Sequence, residues 1–399
     1  TDLPYVPRNI YDPESLYNAL MHYKPEDSPF VDMKDPKVKA GIGMAFKCFA
    51  KPQGEPKIEA VNLGLEHSYL FKVLDIKGDK SAGLTAYGQS KAEAWPTGLL
   101  KAGQTLRNQR SPEPCLAGVR TQEGKTGRLV WGYPLSMTIL EALVARPLLT
   151  KFKGGKTPMA FAMTSVDLGI KMRKAQAHNS HYVSMDASRF DTTISQAVIK
   201  CAFNAFRTWF NLEQKVYHEY TVGDLFNLIE DYFIHTPIVM PHTNGPLLYS
   251  GKRHGVPSGS YFTQLVDSFA NVTMLGTLDF NYKLGIRLDE VFVLGDDLLF
   301  FTNKRLSLDG MSSLLNATYG MLVNAKKSET GSASDPIPFL GRVWKHGLPT
   351  RNWQDVLKRS IAPERYRNYG DNKLWGARSV IASYGLSAMI EGLPEGFDV

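Results

Sequence analysis

The clearest hydrophobic pattern in the chain lies at residues 291–301, where two apolar runs flank Gly295-Asp296-Asp297. Apolar runs joined by a short turn predict a β-hairpin. Strand pairing alone would favour Asn-Gly or Asp-Gly in such a turn, whereas this one carries two adjacent carboxylates. Adjacent carboxylates repel each other, and a divalent cation that takes oxygen ligands is their natural partner. The turn is therefore a candidate metal site, and an ordinary acidic turn is the alternative.

A strand and a turn with two further acids lie upstream. Residues 181–186 alternate in the manner of a strand that ends at Asp186, and Asp191 follows after a short turn. We expect the next helix to begin at a cap formed by Thr192 and Thr193. Because strand ends open onto crevices, Asp186 is well placed for chemistry. Helix capping is the alternative, and it suits Asp191 better than Asp186.

A third element joins a small polar loop to a long helix. The loop contains Ser258, and we expect the helix to begin near Tyr261. Thr263, Asp267 and Asn271 follow one another at intervals of four residues, which places them on one face of that helix. Such polar groups can supply hydrogen bonds to a site, and a solvent-facing stripe is the alternative.

Weaker patterns predict several other elements. Residues 1–40, rich in Pro, Tyr and Asp, favour an extended arm. Residues 136–149 predict an amphipathic helix that stops at Pro147. Beyond the acidic turn, residues 308–319 predict a helix and residues 339–347 predict a second short hairpin.

Composition and charge narrow the class of protein. The 399 residues, 43% hydrophobic and 21% charged, predict a globular protein of one large domain or a few subdomains. The net charge of +7 favours an anionic partner, of which nucleic acid is the commonest. Cys48, Cys115 and Cys201 indicate neither a disulfide framework nor a zinc site, so a reducing compartment fits best. Apolar runs fall short of the ~20 residues that span a membrane, so we expect no membrane partner.

Basic residues gather between residues 101 and 174, with few acids to offset them. Arg120, Lys125 and Arg128 surround a glycine-containing turn that leads into a predicted strand. Arginine meets phosphate oxygens through two N–H groups at once, so this turn is a candidate for holding a nucleoside triphosphate. A solvated charged face is the alternative.

Together these motifs resemble those of the viral RNA-dependent RNA polymerases, in the order in which that family carries them. The motifs are a basic segment that resembles motif F, Asp186 and Asp191 (motif A), Ser258 to Asn271 (motif B), Gly295-Asp296-Asp297 (motif C), Lys327-Ser328 (motif D) and residues 339–342 (motif E). Residues 255–268 are particularly similar to polymerases of double-stranded RNA viruses of the partitivirus type, with picobirnaviruses as near relatives.

The resemblance implies an α+β fold, the right-hand polymerase fold of fingers, palm and thumb, with an antiparallel palm sheet flanked by helices. Asp186 should then lie near Asp296 on neighbouring palm strands. The implied divisions are fingers with an N-terminal arm at 1–180, palm with motif A at 181–200, a fingers insertion at 201–255, palm with motifs B to E at 256–345, and a thumb, expected to be incomplete, at 346–399.

The reaction implied by the resemblance is template-directed RNA synthesis by two-metal nucleotidyl transfer. Two Mg²⁺ ions, with Mn²⁺ as the alternative, would be held by Asp186, Asp296 and Asp297. Lys327 would protonate the leaving pyrophosphate as general acid, with Lys326 as the alternative. Arg120, Lys125 and Arg128 would hold the triphosphate. The residues expected around the ribose are Asp191, Ser258, Thr263, Asp267 and Asn271.

Within that ribose site we expect Asn271 to donate a hydrogen bond to Asp191, which would accept from the 2′-hydroxyl. Asp267 would pack behind them. The implied partners are template RNA, nascent RNA and nucleoside triphosphates, with viral capsid protein as a further partner. The implied location is the virion interior or the host cytoplasm, where the enzyme would replicate and transcribe a viral RNA genome.

Two rival interpretations remain open at this point. A reverse transcriptase shares the palm and its acids, but that class favours Tyr-x-Asp-Asp where this chain has Leu294 before Gly295. An RNA-binding or capsid-associated structural protein could retain an inactive palm. The presence of Lys327 and of all the predicted metal acids argues against such decay.

Overall fold

The computed structural model describes residues 12–120, 128–153, 157–361, 373–385 and 388–392. Within these ranges the α-helices are α1 (Pro13–Met21), α2 (Pro36–Phe49), α3 (His67–Leu74), α4 (Trp95–Leu106), α5 (Leu135–Phe152), α6 (Ser165–His178), α7 (Gln196–Arg207), α8 (Val222–Ile234), α9 (Thr263–Tyr282), α10 (Leu308–Tyr319), α11 (Trp353–Ile361) and α12 (Lys373–Gly385). The strands are β1 (Cys115–Arg120), β2 (Arg128–Gly132), β3 (His181–Met185), β4 (Ala187–Ser188), β5 (Lys215–Tyr217), β6 (Tyr220–Thr221), β7 (Ile238–Met240), β8 (Leu247–Tyr249), β9 (Phe292–Leu294), β10 (Asp297–Thr302), β11 (Leu322–Val323), β12 (Glu329–Ser332), β13 (Ile337–Phe339), β14 (Arg342–Lys345), β15 (Leu348–Asn352) and β16 (Met389–Glu391).

The central sheet has the strand order β12-β3-β10-β9, and each neighbouring pair is antiparallel. Strands β9 and β10 form the hairpin predicted around the acidic turn. The side chains of β10 alternate between two hydrophobic cores: Leu298 and Phe300 face one, and Leu299 and Phe301 face the other. Because both faces of the strand are covered, its sequence is an unbroken apolar run rather than an alternating one.

Helix α9 crosses α2 at a point where both helices carry glycine. A Cβ on Gly276 would lie 2.7 Å from Gly41 Cα, and a Cβ on Gly41 would lie 2.3 Å from the carbonyl oxygen of Thr273. Neither position leaves room for a side chain. This close crossing sets the position of α9, the helix that carries Asp267 and Asn271.

Helix α5 corrects the prediction for residues 136–149. Its residues 135–145 are all buried, so this part is not amphipathic, and the helix continues through Pro147 to Phe152. Proline has no N–H, so the carbonyl of Leu143 has no helical partner at that position. The N–H of Val61 donates to this carbonyl at 2.9 Å. A distant segment of the chain thus satisfies the group that normally makes proline costly inside a helix.

Two further expectations need correction. The N-terminal segment is not simply extended, because α1 buries Leu16 and Leu20 against the core. Helix α7 is capped by Ser195, whose Oγ accepts from the N–H of Val198, and not by Thr192 and Thr193. Thr192 ends a short 3₁₀ turn that begins at Phe190.

The other strands of the described residues form separate sheets. Strands β2, β1, β7 and β8 form one four-stranded sheet, and β13 to β16 form another. The predicted helix at residues 308–319 is confirmed as α10, and the hairpin predicted at residues 339–347 is confirmed as β13 and β14. Within the described ranges, no helix is both long enough and apolar enough to cross a bilayer.

Candidate active site

The predicted metal acids meet at one end of the central sheet. Asp296 lies in the β9–β10 turn, Asp297 begins β10, and Asp186 follows β3 directly. The register of β3 and β10 pairs Met185 with Leu298, which brings the two strand ends together. Burial, followed by repulsion from Asp296 and Asp186, raises the pKa of Asp297 to about 7. The three carboxylates are therefore close enough to feel one another's charge.

Helix α9 holds the backbone of the acidic turn. Gly295 has a φ of 61°, a left-handed conformation that glycine adopts without strain. Its N–H donates to Ser268 Oγ at 3.2 Å, and its carbonyl accepts from Asn271 Nδ2 at 2.6 Å. Both side chains are buried. The expected hydrogen bond from Asn271 to Asp191 is therefore wrong: Asn271 binds the turn that carries the predicted metal acids.

A second loop clamps the backbone of Asp186. The N–H of Asn324 donates to the Asp186 carbonyl at 2.8 Å, and the Ser328 hydroxyl contacts both the N–H and the carbonyl of Asp186. Lys327 Nζ lies 3.6 Å from Asp186 Oδ2. Lys326 contributes its backbone N–H to Asn324 Oδ1. Of the two lysines, Lys327 is thus the one whose ammonium lies beside a predicted metal acid. The role of Lys327 as general acid stays a prediction.

The basic turn reaches the same region through the β1–β2 hairpin. Arg128 opens β2 opposite Arg120 at the end of β1, and Lys125 lies outside the described residues. Arg128 donates to Asp191 Oδ2 at 2.9 Å. Arg128, which was predicted to hold the triphosphate, thus contacts Asp191, which was predicted to recognise the ribose.

Asp267 is the second carboxyl at this point. It is 4% exposed, and its Oδ1 is buried without a hydrogen-bond donor among the described residues. Burial, together with repulsion from Asp191 and Asp296, raises the pKa of Asp267 well above its ordinary value. Burial also raises the pKa of Asp191, and the Arg128 guanidinium opposes that rise. The Arg128 guanidinium thus favours the ionised form of Asp191, and burial favours the protonated form of Asp267.

The hydroxyls of the Ser258 loop shape the loop itself. Ser258 Oγ accepts from the N–H of Trp131 on β2 at 3.2 Å, and Thr263 Oγ1 donates to the carbonyl of Pro257 at 2.6 Å. The loop is also bound to helix α5, because Ser260 Oγ donates to the buried Glu141 carboxyl. Contact of Ser258 or Thr263 with a ribose stays a prediction.

Two residues of this site were missed at the level of sequence. Ser268 and Asn324 bind backbone groups of Gly295 and Asp186, and each stands close in sequence to a predicted site residue. Ser268 could have been predicted, because it is a small polar residue next to Asp267 on a helix that is otherwise mostly apolar. Asn324 lies in the turn before Lys327, and its position there is only weak evidence for a role in the site.

The donor set of the three acids fits a divalent cation. Burial and, after it, repulsion from Asp296 and Asp186 raise the pKa of Asp297, and a bound cation would relieve that repulsion. Among the described residues, no group of three or more His, Cys, Asp or Glu side chains stands in a ready metal-binding arrangement. Mg²⁺ usually takes one or two carboxylates together with substrate phosphates and water, so these acids suit a cation that is completed by substrate.

Comparison with known families identifies the chain. The family model described as viral RNA-dependent RNA polymerase matches residues 85–374. The chain belongs to this family. The resemblance expected from the order of the motifs is thereby confirmed, and polymerases of this family generally use divalent metal ions.

Curated relatives of this chain come from double-stranded RNA viruses of the partitivirus-like group. The RNA-directed RNA polymerase of Atkinsonella hypoxylon virus is 33% identical over 126 residues, which are 30% of this chain and 19% of the relative. That of Cryptosporidium parvum virus 1 is 29% identical over 189 residues, which are 43% of this chain and 33% of the relative. The chain spans less than half the length of either relative.

A solved structure shares the fold. It is an insertion-loop deletion mutant of the RNA-dependent RNA polymerase of a human picobirnavirus, with a TM-score of 0.68 and 17% identity. The match covers 93% of this chain and 70% of the other. The expected α+β right-hand polymerase fold is confirmed.

Proposed function

We propose that this chain catalyses RNA synthesis on an RNA template, and so replicates and transcribes a viral RNA genome. The observation that carries the proposal is the convergence of Asp186, Asp296 and Asp297 at one sheet end, in a chain that belongs to the viral RNA-dependent RNA polymerases. Its partners would be template RNA, nascent RNA and nucleoside triphosphates, with capsid protein as a further partner. It would act in the virion interior or the host cytoplasm.

The three acids would hold two divalent ions, Mg²⁺ or Mn²⁺. When bound, such ions stabilise charge on the attacking 3′-oxygen and on the leaving pyrophosphate. The role of the protein is to aim the carboxylates, and two sets of contacts support that role. Ser268 and Asn271 fix the turn of Asp296, while Asn324 and Ser328 fix the backbone of Asp186.

Lys327 would supply the proton that the leaving pyrophosphate requires. Its ammonium stands 3.6 Å from Asp186, so a triphosphate bound at the acids would lie within its reach. Arg120, Lys125 and Arg128 would hold the triphosphate charge. For Arg128 this requires an exchange of partner, from Asp191 to phosphate.

Ribose selection would depend on the carboxyl pair of Asp191 and Asp267. Release of Arg128 would leave Asp191 free to accept a hydrogen bond from the 2′-hydroxyl. Protonated Asp267 would donate a hydrogen bond to Asp191 and so hold it in place. This is the hydrogen bond that the sequence pattern had assigned to Asn271. Repulsion within the pair supports this assignment, because two buried carboxylates in contact cannot both be ionised at low cost.

The functional divisions are proposed in the same terms. Fingers would comprise residues 1–180 and 201–255, palm residues 181–200 and 256–345, and thumb residues 346–399. The central sheet supports the palm division, since β3, β9, β10 and β12 all come from the two proposed palm segments.

The test is incorporation of labelled nucleotides on a primed RNA template, with and without EDTA, by the whole chain and by Asp296→Ala. The proposal expects metal-dependent incorporation of ribonucleotides by the wild type and none by the variant. Equal or better incorporation of deoxyribonucleotides would point instead to a reverse transcriptase. RNA binding without any incorporation would point to a structural protein with an inactive palm.

A further inference from the structure

His254 lies fully buried four residues before Ser258, outside the set of predicted site residues. Its Nδ1 is 2.8 Å from the carbonyl oxygen of Thr192, and its Nε2 is 2.7 Å from the carbonyl oxygen of Lys24. The imidazole therefore bridges two segments that are distant in sequence. One is the turn that follows Asp191, and the other is the N-terminal segment after α1.

Both ring nitrogens of His254 lie within hydrogen-bond distance of a backbone carbonyl oxygen. An N–H group of the ring can donate to either carbonyl, so the side chain connects the two segments. Because the ring is buried, water cannot easily replace these contacts.

The backbone beside His254 is tied to the same turn. The N–H of Gly255 donates to the Ile194 carbonyl at 2.8 Å, and the N–H of Val256 donates to the Asp191 carbonyl at 2.7 Å. The Tyr23 hydroxyl donates to the Val256 carbonyl at 3.1 Å, which adds a second contact from the N-terminal segment. Movement of His254 would therefore shift Asp191 relative to the loop that carries Ser258.

We infer that His254 is a positioning residue, which sets where the Asp191 carboxylate stands for ribonucleotide selection. This inference rests on the proposed polymerase function. His254 does not touch substrate in this arrangement; it acts through the backbone of the turn from Asp191 to Ile194.

The positioning role is tested by the ratio of kcat/KM for a ribonucleotide over its deoxyribonucleotide. In His254→Leu we expect the ratio to fall by ~10-fold to ~100-fold, since misplacing a binding group by about 1 Å can cost that much. The Asn side chain of His254→Asn retains a hydrogen-bond donor, so the ratio in this variant should lie between those of the wild type and His254→Leu. A loss of folded enzyme alone would lower the measured rate equally for both nucleotides and leave the ratio unchanged.

His235→Leu is the matched control. His235 Nδ1 also faces a backbone carbonyl, that of Lys252 at 3.0 Å, but the side chain is partly exposed at the end of α8. Its substitution should leave the ratio unchanged. An unchanged ratio in His254→Leu would overturn the positioning role. Absence of RNA synthesis by the wild type would instead refute the proposed function.

Discussion

Asn271 and Gly295 are joined by a hydrogen bond of 2.6 Å between the side-chain amide of a helix residue and the carbonyl of the acidic turn. Asp267 stands one helical turn before Asn271, against Asp191. One face of α9 therefore contacts both the proposed metal acids and the proposed ribose reader. This helix sets the spacing between the two parts of the site.

Asn271→Ala should lower kcat by ~10-fold to ~100-fold, because the turn that carries Asp296 loses one of its two contacts with α9. It should also raise the Mg²⁺ concentration that gives half-maximal rate. The preference for ribonucleotides should persist, since Asn271 contacts the turn and not Asp191. A titration of Mg²⁺ with both substrate types measures all three quantities.

Thr277→Val is the control for Asn271. Thr277 is also a buried polar residue of α9, but its hydroxyl contacts the Lys37 carbonyl and Tyr319. Its loss should reduce stability without changing the metal requirement. If Asn271→Ala collapses the ribonucleotide preference while the metal requirement stays constant, the assignment of Asn271 to the acidic turn is wrong.

Asp296→Ala should reduce synthesis by ~10³-fold or more, since a catalytic metal contributes several kcal/mol to the transition state. The fold and RNA binding should persist. Because the variant removes a carboxylate that repels Asp297, the melting temperature of the metal-free protein should hold or rise. Rapid-quench assays and calorimetry measure the two effects. Substantial Mg²⁺-dependent activity in this variant would refute the site.

Lys327→Leu should slow the chemical step by ~10²-fold to ~10⁴-fold, the usual contribution of a general acid. Nucleotide binding should weaken far less. Lys326→Leu is the matched control, because its neighbouring ammonium is removed while Lys327 stays beside Asp186. Single-turnover rates decide the assignment: a slow Lys326 variant and a fast Lys327 variant would move the role by one residue.

Asp267→Asn should keep the ribonucleotide preference within a few-fold of the wild type, because an amide N–H can replace the proton that Asp267 carries. Asp191→Ala should lower the preference by ~10²-fold or more, as expected when a site loses its partner for a substrate hydroxyl. The ratio of kcat/KM for the two nucleotide types measures both. The reverse outcome, in which only the Asp267 variant loses selection, would make Asp267 the acceptor.

Glu141 predicts a pH dependence of stability. Burial raises the pKa of this carboxyl from its usual 4.5 to about 8 in the folded protein. Its contribution to stability is therefore full below pH 4.5 and is lost as the pH rises through 8. Glu141→Gln keeps a neutral side chain, so it should become more stable than the wild type at alkaline pH, by about 5 kcal/mol at most for a pKa change of this size.

Melting curves of Glu141→Gln and wild type, recorded over roughly three pH units from pH 6 to pH 9, test this pH dependence. The difference in stability between the variant and the wild type should grow as the pH rises. The raised pKa of Asp297 also lowers the stability as the pH rises. The stability of Glu141→Gln should therefore still decrease at alkaline pH, but by less than that of the wild type. A difference that is constant across the range would show that Glu141 does not titrate there.

Local patterns determined much of this protein. The β9–β10 hairpin, the strand that ends at Asp186 and helix α10 were all predicted, because strand alternation, helical spacing and turn residues act over a few neighbouring positions. The order of the motifs also sufficed to indicate the polymerase family. The hairpin, the strand and the helix each depend on residues that are close in sequence, and each motif is itself a short local pattern.

Tertiary structure decided which groups meet. Helical spacing placed Asp267 and Asn271 on one face of α9, but only packing directed Asn271 to Gly295 and Asp267 to Asp191. Helix α5 passes through Pro147 because Val61 satisfies the freed carbonyl. Sequence spacing specifies the direction of a side chain within its own element. Its partner depends on how distant elements pack, and hydrogen bonds and burial select that arrangement across the whole core.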